Sequence, residues 1–179
     1  MRSTMEVLKS FEFTVERYLA ELKKLNMEKL HRKVNEEEWS IGQMYVHLIQ
    51  SAFMHLHNVE QCLVGSESTL NPAKEKTEQG KVVFNLQQFP AVRIKVPASP
   101  NYTPQPPESM EHLIEGLHSV VERMRNMESV LHQATVSNKI LHPAFGALNG
   151  QEWFLLIEMH YRHHFLQLDR LKTSLEFEK

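Results

Sequence analysis

One cysteine, Cys62, in 179 residues excludes an internal disulfide framework and fits a reducing compartment. No apolar run approaches the roughly 20 residues that a membrane-spanning helix requires. Met1 to Leu8 shows no basic stretch leading into an apolar segment, so no secretory signal is expected. Neither sign of charge dominates: 20 Lys and Arg against 22 Asp and Glu leave a formal −2. That is too weak a field to recruit nucleic acid or an anionic membrane. These absences predict a cytoplasmic protein with neither nucleic acid nor membrane as a partner. Internal repeats and low-complexity tracts are absent too, and the length suits one domain over residues 1–179. What is plentiful is histidine, with 11 in the chain, and its placement carries most of the functional reading.

Met5, Leu8, Phe11, Val15, Tyr18, Leu19, Leu22 and Leu25 recur at three- and four-residue steps, which predicts one apolar stripe on a first long helix. A polar connection follows, with Asn26, Asn35 and several glutamates, and leads to Trp39. Ser40-Ile41-Gly42-Gln43 has the form of a capping box and opens a second helix that stops at Gly65. Its stripe is Ile41, Tyr45, Leu48, Ala52, Leu56, Val59 and Leu63. A third helix starts near Ser109 and presents Met110, Leu113, Leu117, Val120, Met124, Met127 and Leu131 on one side. After an irregular stretch from Ser137 to Leu148, Asn149-Gly150-Gln151-Glu152 forms another capping box and opens the last helix, to about Ser174.

Seven of the eight prolines lie between Ser66 and Glu108, which excludes a continuous helix there. Lys81 to Leu86 and Ala91 to Val96 read as two short extended segments, pairing as a β-hairpin around Gln88-Phe89-Pro90. So long a link between the second and third helices can return along the whole molecule. The expectation is all-α: a four-helix bundle, up-down-down-up, with that long crossover in the middle.

On the last helix, at ~100° per residue, Trp153 and Leu171 fall about 20° from His160, His164 about 40° and Ile157 about 60°. His160 and His164 therefore sit within the most apolar stripe of that helix. Imidazoles one turn apart, with Cβ atoms ~6 Å apart, can share one metal ion. A buried polar ring without a partner is costly, so something must satisfy both. The competing interpretation is a pair of core histidines hydrogen-bonded to carbonyls. The second helix offers a third donor in His47, at the edge of its stripe beside Met44, Ser51 and Met54, or in His55, nearer the centre. Rise along two antiparallel helices does not separate His47 from His55.

Trp39-Ser40-Ile41-Gly42-Gln43-Met44-Tyr45-Val46-His47-Leu48 resembles the second-helix signature of DinB/YfiT-like proteins, and His160-Tyr161-Arg162-His163-His164-Phe165-Leu166-Gln167 resembles their fourth-helix motif. His142-Pro143-Ala144-Phe145-Gly146-Ala147-Leu148, with Glu152-Trp153, is similar to one branch of that superfamily. The resemblance implies an up-down-down-up bundle with a divalent metal on His47, His160 and His164, leaving His55 as the reserve ligand. Three neutral imidazoles suit Zn²⁺ or Ni²⁺ and leave open positions. The family includes thiol-dependent transferases and isomerases, alongside members described only as metal-dependent hydrolases. The implied function is a metal-dependent enzyme acting on a small-molecule substrate. It would activate a low-molecular-weight thiol as further cofactor, in S-transferase manner, or else water. The alternative is a bundle that binds metal or a small ligand without turnover. Pairing into a homodimer is also implied by the family.

Hydrolysis would call for a general base, and the inward stripe of the last helix has no carboxylate, which favours thiol transfer. No residue is assigned as catalytic. His163 and Gln167 are candidates to orient a ligand, and His142 to line the pocket mouth. Trp39 is a pocket candidate too, although Trp39 and Trp153 read first as core anchors. Cys62 reads as an inert buried thiol.

Overall fold

The computed structural model describes residues 2–65, 73–91 and 103–177. Helix α1, Thr4–Leu22, begins at a capping box: the Ser3 hydroxyl accepts from Glu6 N at 3.2 Å, and the Glu6 carboxylate accepts from Ser3 N at 2.8 Å. Val7, Phe11, Val15, Tyr18 and Leu22 face inward from it. The helix stops short of Leu25. Asn26 then caps a five-residue helix, α2, Met27–His31, which lies within the stretch expected to be a plain connection and buries Leu30. Helix α3, Ile41–Val64, has the expected box, with Gln43 N donating to Ser40 Oγ at 3.1 Å and Ser40 N to Gln43 Oε1 at 2.9 Å. It ends at Gly65, whose φ of 72° suits a residue without a Cβ.

The crossover corrects the expectation for Lys81 to Leu86. These residues are helical, within α4, Glu78–Leu86, and form no strand. Thr77 caps that helix by accepting from Gly80 N at 3.0 Å. Gly80, Val83 and Phe84 turn inward while Val82 and Leu86 stay exposed, which is helical spacing. Of the other proposed strand, Val92 to Val96 lies outside the described residues. The hairpin stands elsewhere, in the stretch read as irregular: β1, Lys139–His142, pairs antiparallel with β2, Gly146–Asn149. Crossover residues extend it, since Thr77 N donates to Phe145 O at 3.0 Å and Ala147 N to Glu75 O at 3.1 Å.

Helix α5, Met110–Leu131, and helix α6, Gly150–Phe177, complete the four long helices. At the start of α6 the Asn149 side chain accepts from Glu152 N, and Glu152 returns the bond to Asn149 N, both at 3.0 Å. Side-chain pairs give the directions. Ser10 meets Glu158 and Glu21 meets Lys172, so α1 and α6 run parallel. Glu38 meets Arg170 while His47 meets His160, so α3 opposes α6. Glu12 meets Arg125 and Thr4 meets Glu128, so α5 opposes α1. The order is up-down-down-up. Both α1 and α3 pack on α5 and α6, so helices joined by the short links lie on diagonals of the bundle instead of side by side.

The core sets the helix positions. Tyr18 OH donates to Tyr161 O at 2.7 Å and Tyr45 OH to Tyr18 O at 2.9 Å, so these two buried hydroxyls are satisfied by backbone of other helices, while the Tyr161 hydroxyl, also buried, has no hydrogen-bond partner. The Tyr18 and Phe165 rings stack at 4.2 Å between centroids. No described helix is long and apolar enough to cross a membrane.

Candidate metal centre

His47 lies on the second turn of α3, and His160 and His164 lie one turn apart midway along α6, facing it. The antiparallel packing of α3 on α6 brings the three rings together. His47 Nε2 stands 3.2 Å from His160 Nε2, and His164 Nε2 stands 2.9 Å from the same atom. One nitrogen from each ring lies within 4.8 Å of the other two, the one such three-residue group among the described residues. In a tetrahedral site with bonds of ~2.0–2.1 Å, adjacent ligand nitrogens stand about 3.3 Å apart, close to these separations.

The outer nitrogen of His164 has a partner that fixes its tautomer, and that of His160 faces a hydroxyl. His164 Nδ1 lies 2.7 Å from Gln167 Oε1, an amide oxygen that only accepts, so His164 carries its proton on Nδ1. His160 Nδ1 lies 3.4 Å from Ser51 Oγ, a longer contact. Ser51 gives its own hydroxyl proton to His47 O, which leaves its lone pairs toward His160. With its proton on Nδ1, toward Ser51, His160 likewise turns an unprotonated Nε2 toward that of His164. Two lone pairs at 2.9 Å repel unless a cation lies between them, so the donor set fits a divalent metal.

Burial acts in the same direction. It pushes His47 down to about 4, and burial with the adjacent His47 pushes His164 down to about 3. His160, half-buried and desolvated among His164, His47 and His55, is held well below the ordinary imidazole range. All three are therefore neutral at physiological pH, the protonation state that a metal ligand requires.

A cavity of about 270 Å³ opens beside the triad. His47, His160 and Ser51 form one part of its lining; Met54, Leu156, Phe89 and Phe145 form an apolar part; His55 and His142 supply the remaining polar surface. None of these residues is acidic or cationic. His55 is buried, outside the converging group, with its ring 5.9 Å from that of His160. Among the candidates to orient a ligand or line the pocket, Gln167 holds His164, and the Trp39 ring lies 4.9 Å from the His47 ring. His142 lines the cavity. His163 sits at the rim, its ring 5.4 Å from Phe89 and 5.8 Å from His164. Trp153 is buried against His55 and His142. Cys62 is also buried, and burial raises its thiol to about 11.

Two contributors escaped the sequence reading. Ser51 was visible one turn after His47 on the same face, and only the bond geometry gives it a task. Phe89 lines the cavity from the crossover, and no local pattern announces that role.

The family model for the DinB superfamily matches residues 10–168. A solved structure described as TT2238, a four-helix bundle protein, aligns over 94% of this chain and 99% of that chain, with a TM-score of 0.59 and 16% identity. That is a likeness of fold. No curated protein matches the chain. The family model spans all four long helices and the three converging histidines, and the chain belongs to the DinB superfamily.

Proposed function

We propose that the protein is a metal-dependent enzyme that binds one Zn²⁺ or Ni²⁺ on His47, His160 and His164 and uses it to activate a low-molecular-weight thiol for transfer to a small electrophile. The observation that carries the metal is the 2.9 Å approach of two Nε2 atoms whose rings hold their protons on the far side. A divalent metal there supplies Lewis-acid chemistry, lowering the pKa of the thiol or water that it takes up. The chain's own part is orientation and exclusion. Gln167 and Ser51 hold the α6 imidazoles in register, Trp39 backs His47, and Phe89, Phe145 and Leu156 shield the cavity from bulk water.

A thiol is preferred to water because, among the described residues, no carboxylate lines the cavity to act as a general base. A small-molecule thiol loses its proton readily once its pKa falls, whereas water asks more of its surroundings.

The test is elemental analysis of untagged protein, followed by a screen of thiol and electrophile pairs on the metal-loaded form. About one equivalent of zinc or nickel, absent from His160→Ala/His164→Ala, together with turnover of a thiol pair supports the proposal. Metal without turnover of any pair leaves a metal-binding bundle. No uptake, even from excess Zn²⁺ or Ni²⁺, removes both.

A further inference from the structure

The metal triad accounts for only part of the cavity wall. Next to it His55 and His142 line the cavity, and Trp153 is buried against both, the three ring centroids 5.3 to 6.4 Å apart. His142 Nδ1 accepts from Ala144 N at 3.1 Å and from Phe145 N at 3.2 Å. Its proton therefore resides on Nε2, which makes the free edge of this ring a donor. Its face stacks on Phe145, at 4.4 Å and 14°, so the ring is held in place. Trp153 Nε1, a donor only, is buried with no hydrogen-bond partner, and so is His55 Nδ1. Buried polar atoms are ordinarily paired, and two orphans beside one fixed donor mark a place where a partner belongs.

We propose that His55 and His142, backed by Trp153, form a polar subsite beside the metal triad that holds a neutral oxygen acceptor of the substrate, a carbonyl. The inference rests on reading the triad's cavity as a substrate pocket, and it names the class of electrophile: a small, largely apolar carbonyl compound. Two lines of evidence support a neutral group. Among the described residues no Lys or Arg lines the cavity to balance a carboxylate, and the remaining described wall is Met54, Leu156, Phe89 and Phe145. His55 also lies toward His160, with ring centroids 5.9 Å apart, so an oxygen at the subsite brings the attached carbon chain toward the triad.

The test uses two probes of nearly equal shape, cyclohexanone and methylenecyclohexane, which differ in whether an oxygen or a methylene ends the double bond. Each is titrated into chelator-treated and zinc-loaded protein, followed by the indole and imidazole N–H resonances. The ketone is expected to bind about five-fold tighter than the alkene, the worth of one good hydrogen bond, with or without zinc. It is also expected to move the Trp153 indole resonance. His142→Asn keeps an acceptor for the Ala144 and Phe145 amides and removes the reaching N–H, so the preference should vanish while zinc uptake is unchanged. His55→Leu repeats the test at a buried helical position should His142→Asn unfold. Equal affinity for the two probes overturns the subsite. So does a preference confined to zinc-loaded protein, which would put the oxygen on the metal. A ketone preference in protein that takes up no zinc keeps the subsite and removes the metal reading instead.

Discussion

Ser51 links two of the three converging histidines: its hydroxyl donates to the backbone carbonyl of His47, one turn earlier on α3, and faces Nδ1 of His160 across the interface with α6. Gln167 does the equivalent for His164 within α6, at 2.7 Å. The three-histidine group is thus braced once between helices and once along a helix. The two braces differ in length, and that difference predicts unequal effects. Gln167→Leu should weaken zinc affinity by about 100-fold and Ser51→Ala by about 10-fold, the range seen for groups that orient metal ligands. Competition against a chromophoric chelator measures both. Equal affinities for wild type and Gln167→Leu would show that the bond does not act on the site.

The half-buried imidazoles also make stability depend on pH. Free imidazole takes up a proton near pH 6.5, whereas His47 is pushed down to about 4 and His164 to about 3, and His160 is also held low. Between those limits the unfolded chain binds protons that the folded chain refuses. Stability from these groups is therefore complete above about pH 6.5 and drains away as pH falls toward 4. Chelator-treated protein should show a Tm that declines steadily from pH 7 to pH 5. His47→Asn/His164→Asn should flatten that slope. A flat profile in the parent protein would contradict the burial-driven depression.

Glu158 offers a check outside the cavity lining. Burial alone would raise its carboxyl, yet hydrogen bonds from Arg2, Arg162 and Ser10 together outweigh that and hold it below the usual range. Arg162 also donates to Gln87 O at 2.6 Å and Arg2 to Gln87 Oε1 at 3.0 Å, so the carboxylate ties α1, α6 and the end of α4 together. The arginines are partly exposed and can rehydrate, so Glu158→Gln should cost about 2 kcal/mol, less than the roughly 3–5 of a fully buried pair. Denaturant unfolding gives the value. A loss under about 0.5 kcal/mol would mean the network adds little beyond surface pairing.

Gly146 joins the hairpin to the crossover at φ +79°, and a Cβ there would meet Glu75 O at 2.6 Å and Thr77 N at 2.7 Å. Gly146→Ala should destabilise the protein by about 1–3 kcal/mol through left-handed strain and this backbone collision. Because β1 carries His142, the variant should also shift the imidazole resonance of His142. An unchanged Tm would argue against the crossover lying on the hairpin.

Much of this was legible in the sequence. Apolar residues at three- and four-residue steps predicted the four long helices, because a helix that packs on others must bury one stripe. Ser40 with Gln43 and Asn149 with Glu152 marked two of the starts, since capping is local chemistry. The pairing of His160 with His164 was equally local, one turn apart on an inward face. What misled was also local: Val82-Val83-Phe84 is an apolar run too short to distinguish strand from helix, and the Thr77 cap together with burial of Val83 and Phe84 decided for helix.

The remainder belonged to tertiary structure. Rise per residue could not separate His47 from His55, because the choice depends on how α3 slides against α6. Packing sets that register, with Glu38 paired to Arg170 at one end and His55 against Trp153 toward the other. The same packing sends His47 to the triad and leaves His55 beside His142. The diagonal placement of consecutive helices, the Phe89 wall and the Glu75 to Thr77 contact with the hairpin all join residues distant in sequence, and no periodicity encodes them. By itself the sequence determined which residues turn inward and which could hold a metal, because those are properties of single elements. Only the fold decided which of them meet, because meeting depends on the packing of elements against one another.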